Sequence, residues 1–104
     1  MEDGVTRPNR DLIVGVVFDE QWRLRPEAKK KCKRVRCDRE QHTIAVVINT
    51  PFGWWAAWRE PYEEDGSRWE YDWVDQVTGY TEASCNCRRR RRVDDLFARL
   101  GPVT

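Results

Sequence analysis

The 104 residues suit one domain with a lean core, because 36% of them are charged and 39% hydrophobic. No apolar run reaches the ~18 residues of a spanning helix. The amino end, MEDGVTRPNRD, lacks the basic-then-apolar order of an export signal, so a cytoplasmic protein without membrane contact is expected. The net charge of +1 conceals a separation: residues 23–39 hold nine basic and two acidic groups, and residues 60–82 hold eight acidic and one basic.

Taken in chain order, residues 1–10 are polar, carry Pro8 and read as a flexible N-terminal arm. Residues 11–104 read as one zinc-binding, β-rich domain with a C-terminal helix. The apolar run 12–18 predicts a buried strand, Asp19-Glu20 a turn, and the alternation of Trp22 and Leu24 a short return strand that Pro26 ends. Residues 26–41 are poor in apolar side chains and read as a loop, with a helix through PEAKKK as the weaker alternative.

TIAVVIN, TPFG and GWWAAWR predict a hairpin. Trp54, Ala56 and Trp58 should share one face of its return strand, and Trp55 and Ala57 the other. RWEYDWVD predicts a further strand with Trp69, Tyr71 and Trp73 on one face, and TEASCNC an extended segment. Val93, Leu96, Phe97 and Leu100 form one helical stripe. Gly101 and Pro102 stand where such a helix would close. The class expected is α+β: a small antiparallel β-sheet of about five or six strands in hairpins with a short C-terminal helix, stapled by zinc.

The four cysteines fall into two pairs, Cys32 with Cys37 and Cys85 with Cys87. In a reducing compartment four thiols point to a metal before disulfides, and four thiolates complete a tetrahedral structural Zn2+ site. In an extended segment Cys85 and Cys87 project to one face, so both sulfurs could meet one ion. The arrangement loosely resembles zinc ribbons, in which two separated pairs join two hairpins, although neither spacing here is Cys-x2-Cys. Disulfide or redox pairs, free thiols, and His42 as a substitute ligand are the competing readings.

A zinc tetrathiolate carries a net −2, and neighbouring cations would stabilise it. Lys29 and the set Lys30, Lys31, Lys33, Arg34, Arg36, Arg88, Arg89, Arg90, Arg91 and Arg92 exceed that need. The surplus suits phosphate backbones of DNA or RNA. The competing reading is a solvated face, or a basic patch docked on the protein's own acidic tract. The acidic stretch with its tryptophans suggests a second class of partner: a protein-interaction module, adaptor or inhibitor, using Trp55, Trp58, Trp69, Glu70 and Asp72.

No phosphate loop, nucleophile elbow or open metal site occurs, and Asp94 and Asp95 would point apart on a helix. An enzyme is therefore not expected, nor a small-molecule substrate. The function expected is a small zinc-binding regulatory protein contacting nucleic acid through its basic face. A bacterial or phage regulatory factor is expected, and the arginine bias of the basic set points to a GC-rich genome.

Overall fold

Residues 7–37, 42–61, 68–84 and 90–101 are described in the computed structural model. They form a small α+β fold in the order α1 (Asp11–Val17), α2 (Pro26–Lys31), β1 (Cys32–Arg36), β2 (Thr43–Thr50), β3 (Gly53–Arg59), β4 (Trp69–Trp73), a 3-10 turn (Val74–Gln76), β5 (Glu82–Ala83), β6 (Arg91–Arg92) and α3 (Val93–Leu100). Strands β1-β2-β3-β4 make one antiparallel sheet in that order, and β5 pairs with β6 separately.

The central hairpin follows its sequence. The β-branched run of β2 fits a pleated surface buried on both sides, and Ile44, Ala45, Val46, Val47 and Ile48 are all buried. Thr50 Oγ1 donates to the Gly53 carbonyl at 2.7 Å and accepts the Phe52 N–H at 3.0 Å, closing the turn. Gly53 sits at φ +127°, and a Cβ there would lie 3.0 Å from the Arg7 guanidinium, so glycine answers both needs.

The alternation of β3 divides the core as expected. Ala56 and Trp58 join Val35, Ala45, Val47, Ala83 and the α3 residues Val93, Leu96 and Phe97, with Trp54 packed alongside. Trp55 and Ala57 join Val17, Phe18, Ala28, Val46, Ile48 and Trp73, flanked by Trp69 and Tyr71. Helices α1 and α2 thus cover one face of the sheet, and α3 with the β5–β6 pair the other. Helix α3 ends at Gly101, whose φ of +79° and N–H bonds to the Phe97 and Ala98 carbonyls close it as its sequence implied.

Three expectations of secondary structure are corrected. Residues 12–17 of the apolar run lie in a helix, α1, rather than a strand, and Phe18 follows it in extended conformation. Ile13, Val14 and Val17 turn inward while Leu12 and Val16 remain 66% and 61% exposed, a helical spacing that a period of two cannot produce. Its ends are satisfied: Asn9 Oδ1 accepts the Asp11 N–H at 2.9 Å, and Arg25 Nε donates to the Gly15 and Phe18 carbonyls at 2.8 and 3.1 Å. The return strand through Trp22 and Leu24 shrinks to a single bridge, Phe18 to Leu24.

The segment read as a loop holds α2, with Pro26 in its first turn, and then β1. Ala28 is the only buried residue of α2, and β1 takes its strand state from the ladder with β2. At the start of the described chain, Arg7 forks onto Asp75 at 2.9 and 2.7 Å, donates to the Phe52 carbonyl at 3.1 Å and lies 4.8 Å over the Trp73 ring. No helix among the described residues is long and apolar enough to cross a membrane.

Candidate nucleic-acid interface

Strand β1 forms one edge of the sheet, and its period of two decides where its functional side chains go. Lys33, Val35 and Cys37 belong to the α3 side: Val35 and Cys37 lie in that core, and Lys33 Nζ reaches the Leu100 carbonyl at 3.1 Å. Cys32 packs with the other core, and Arg34 opens onto that same side. Cys32 and Cys37 therefore face opposite ways, roughly 16 Å apart along an extended chain.

A zinc ion with bonds of ~2.3 Å would hold its sulfurs within about 4 Å of one another. This β1 does not bring the first pair together. Burial also pushes the Cys32 thiol above its ordinary pKa, only partly offset by Arg34. Cys85 and Cys87 lie outside the described residues. Among the described residues no group of three or more His, Cys, Asp and Glu could hold a metal.

The charges sort by edge. Around β4, Arg68 meets Glu60 and Glu70 at 3.2 and 3.3 Å, Arg10 meets Asp72 at 2.9 Å, and Arg7 meets Asp75 at 2.7 Å. Arg90 meets Glu82 at 3.2 Å, and Arg92 meets Asp94 at 2.7 Å. These contacts hold Asp75 and Asp94 below the usual carboxylate range, in each case chiefly through the arginine hydrogen bond. None of these carboxylates pairs with α2 or β1. Lys29, Lys30, Lys31, Lys33 and Arg36 are exposed and Arg34 half-buried, without a carboxylate partner among the described residues.

The expected phosphate-contacting residues that are described do not share one face. Lys30 and Lys31 ride on α2, Arg34 faces the α1–α2 side, and Lys33 faces α3. Arg90, Arg91 and Arg92 line a shallow cleft of about 440 Å³ with Asp95, Leu96 and Arg99. Arg88 and Arg89 lie outside the described residues.

The expected partner-binding tryptophan face is corrected in part. Trp55 is fully buried, donates its indole N–H to the Arg10 carbonyl at 3.2 Å and stacks on Tyr71 with centroids 5.6 Å apart. Trp58 is 5% exposed and meets Phe97 edge-on at 6.3 Å. Both are core rings because each lies on a strand covered on that side. Trp69, Glu70 and Asp72 keep partial exposure, with both carboxylates held by arginines. Tyr71 donates to Asp11 at 2.8 Å, and that bond raises its phenol above the ordinary value.

The exposed indole is instead Trp22, 42% accessible and the one non-glycine described at positive φ, +60°. It rims an open cleft of about 270 Å³ beside Phe18, Leu24 and Trp69, with Arg23, Lys29, Arg34 and Arg59 around it and His42 and Thr43 completing the wall. Arg59 lies 5.4 Å over the Trp69 ring and donates to the Thr43 carbonyl at 3.0 Å. Sequence reasoning placed Trp22 on a strand and missed this cleft. The available signal was an indole flanked by cations in QWRLRP. No protein-family model matches the chain, and neither curated proteins nor solved structures yield a match.

Proposed function

We propose that this chain is a small, non-enzymatic, cytoplasmic regulatory protein that contacts nucleic acid through the basic ridge of α2 and β1. One observation carries the reading. Carboxylates of the acidic tract are engaged by Arg7, Arg10, Arg68 and Arg90, so they leave the ridge cations without partners among the described residues. Among the described residues nothing pairs the ridge with the acidic tract, Glu63, Glu64 and Asp65 lying outside them, and a row of lysines and arginines without carboxylate partners there is what displaces counterions from phosphates. The tryptophan-bearing adaptor reading is weaker, because Trp55 and Trp58 are buried.

Fluorescence anisotropy with labelled DNA and RNA across a salt series tests this. Affinity should fall steeply with salt, with a log–log slope near −0.9 for each phosphate contact on duplex and near −0.7 on single strands. Joint reversal of Lys30, Lys31 and Arg36 to Glu should flatten that slope by ~2 or more. No binding of any nucleic acid at low salt would sink the proposal. Capture of a basic protein through Trp69, Glu70 and Asp72 would point to the adaptor.

The structural zinc ion belongs to this proposal too. Cys37 shares a core with Ala83, and the Ser84 N–H donates to the Arg59 carbonyl at 2.8 Å, directly before Cys85 in sequence. Zinc would draw on Cys37 with Cys85, Cys87 and a fourth ligand other than Cys32, which could join only if β1 turned over. Native mass spectrometry should find one zinc per chain, retained in Cys32→Ala and lost in Cys37→Ala. A metal-free wild-type mass removes zinc from the proposal.

A further inference from the structure

The 19–24 loop holds an indole where its backbone resists one. A bulky residue at φ +60° is disfavoured by contact of its Cβ with the peptide carbonyl, so the surrounding structure must impose it. The restraint is visible. Asp19 Oδ1 accepts the Gln21 and Arg23 N–H groups, both at 2.9 Å. The Trp22 N–H donates to the Asp19 carbonyl at 3.0 Å, and the Asp19 N–H to the Arg23 carbonyl at 2.9 Å. Asp19 is held below the usual carboxylate range, first by the Arg23 backbone bond, as fits a carboxylate that organises a turn.

The ring so held is not folded into the core. It leans on Phe18, centroids 5.4 Å apart at 50°, and Phe18 in turn meets Trp69 at 5.1 Å. Trp22 also lies 6.4 Å from Tyr71 at 30°, and with 42% of the indole residue exposed the group makes an aromatic wall beside a cleft of about 270 Å³. Arg23, Lys29 and Arg34 border that cleft; Arg23 lies in the field of Asp19, and among the described residues Lys29 and Arg34 have no carboxylate partner.

We infer that this cleft takes one unpaired base of a single-stranded nucleic acid, stacked against Trp22, with the adjoining phosphate held by Arg34 and Lys29. The inference rests on the nucleic-acid reading above and specifies its substrate as single-stranded. Stacking is available to any base because each has a π-face, and the neighbouring cations follow the backbone. A paired base inside a duplex has both faces covered and cannot enter. The volume lies below the ~300 Å³ lower end of ordinary ligand pockets and suits one planar base better than a longer stretch of chain.

The test uses a labelled single-stranded oligothymidylate and an abasic strand of identical length and charge, with wild type, Trp22→Ala and Trp22→Phe. Circular dichroism confirms that each variant folds. The wild type should prefer the base-bearing strand by about 10-fold to 100-fold, from the range for one stacked base. Trp22→Ala should erase that preference while leaving abasic-strand binding and its salt slope unchanged, and Trp22→Phe should keep most of it. Equal binding of both strands by wild type, with a steep salt slope, would overturn the stacking pocket and leave the basic ridge standing. Absence of binding to every nucleic acid overturns both. A base preference that survives Trp22→Ala also overturns the pocket.

Discussion

The two edge strands of the sheet, β1 and β4, are the same length, five residues each, and carry opposite charge. They handle that charge differently. Around β4 the carboxylates Glu60, Glu70, Asp72 and Asp75 are met by Arg7, Arg10 and Arg68, arginines from the start of the described chain and from the strand's own entry. Along α2 and β1 the cations meet carbonyls, rings and solvent: Lys33 takes the Leu100 carbonyl and lies 5.7 Å from the Trp54 ring. Among the described residues, one edge therefore has its charge paired within the fold and the other carries cations without carboxylate partners. Both edges also discourage strand addition, since charged side chains on an edge oppose pairing with another chain.

The comparison can be sharpened experimentally. The largest effect should come from the ring at the centre of the α1–α2 side of the sheet: Trp55→Ala removes a fully buried indole and should cost about 3–5 kcal/mol in urea unfolding. Trp22→Ala, which gives up only the Phe18 and Tyr71 contacts of a partly exposed ring, should cost about 1 kcal/mol. If both cost the same, the division into core and surface tryptophans fails.

Next comes the charge contrast itself. Reversing Lys30, Lys31 and Arg36 should weaken nucleic-acid binding at least ~100-fold at low salt while barely moving the unfolding midpoint, in line with loss of several phosphate contacts. Arg68→Ala should do the opposite in kind, with binding kept and stability reduced by less than about 1 kcal/mol. Equal loss of binding in both would break the distinction between edges.

Gly53→Ala should destabilise by about 1 kcal/mol or more, because an alanine at φ +127° is strained and its Cβ crowds Arg7. The smallest effect concerns Asp75. Its folded pKa is lowered, so its pair with Arg7 contributes stability above the ordinary carboxylate range and loses it as pH falls through the folded value. The gap between wild type and Asp75→Asn, about 0.5 kcal/mol for so exposed a pair, should close below about pH 4. A gap unchanged by acid would show that the pair is incidental.

What the sequence alone determined is what local periodicity carries. The β2–β3 hairpin, the two-sided tryptophans of β3, the common face of Trp69, Tyr71 and Trp73, and the α3 stripe with its Gly101 cap all follow from spacing within a dozen residues. Tertiary structure decided the rest, for reasons visible residue by residue. A short run of valine, isoleucine and leucine fits a buried strand or a helix equally, and packing of Ile13, Val14 and Val17 on the sheet selected the helix. Strand β1 carries too many cations to announce itself, and only its ladder with β2 makes it a strand. That pairing also turns Cys32 and Cys37 to opposite faces, which spacing alone could not reveal. The cleft at Trp22 brings together Phe18, Arg34, Arg59 and Trp69, neighbours only after α2, β1, β3 and β4 have been laid side by side.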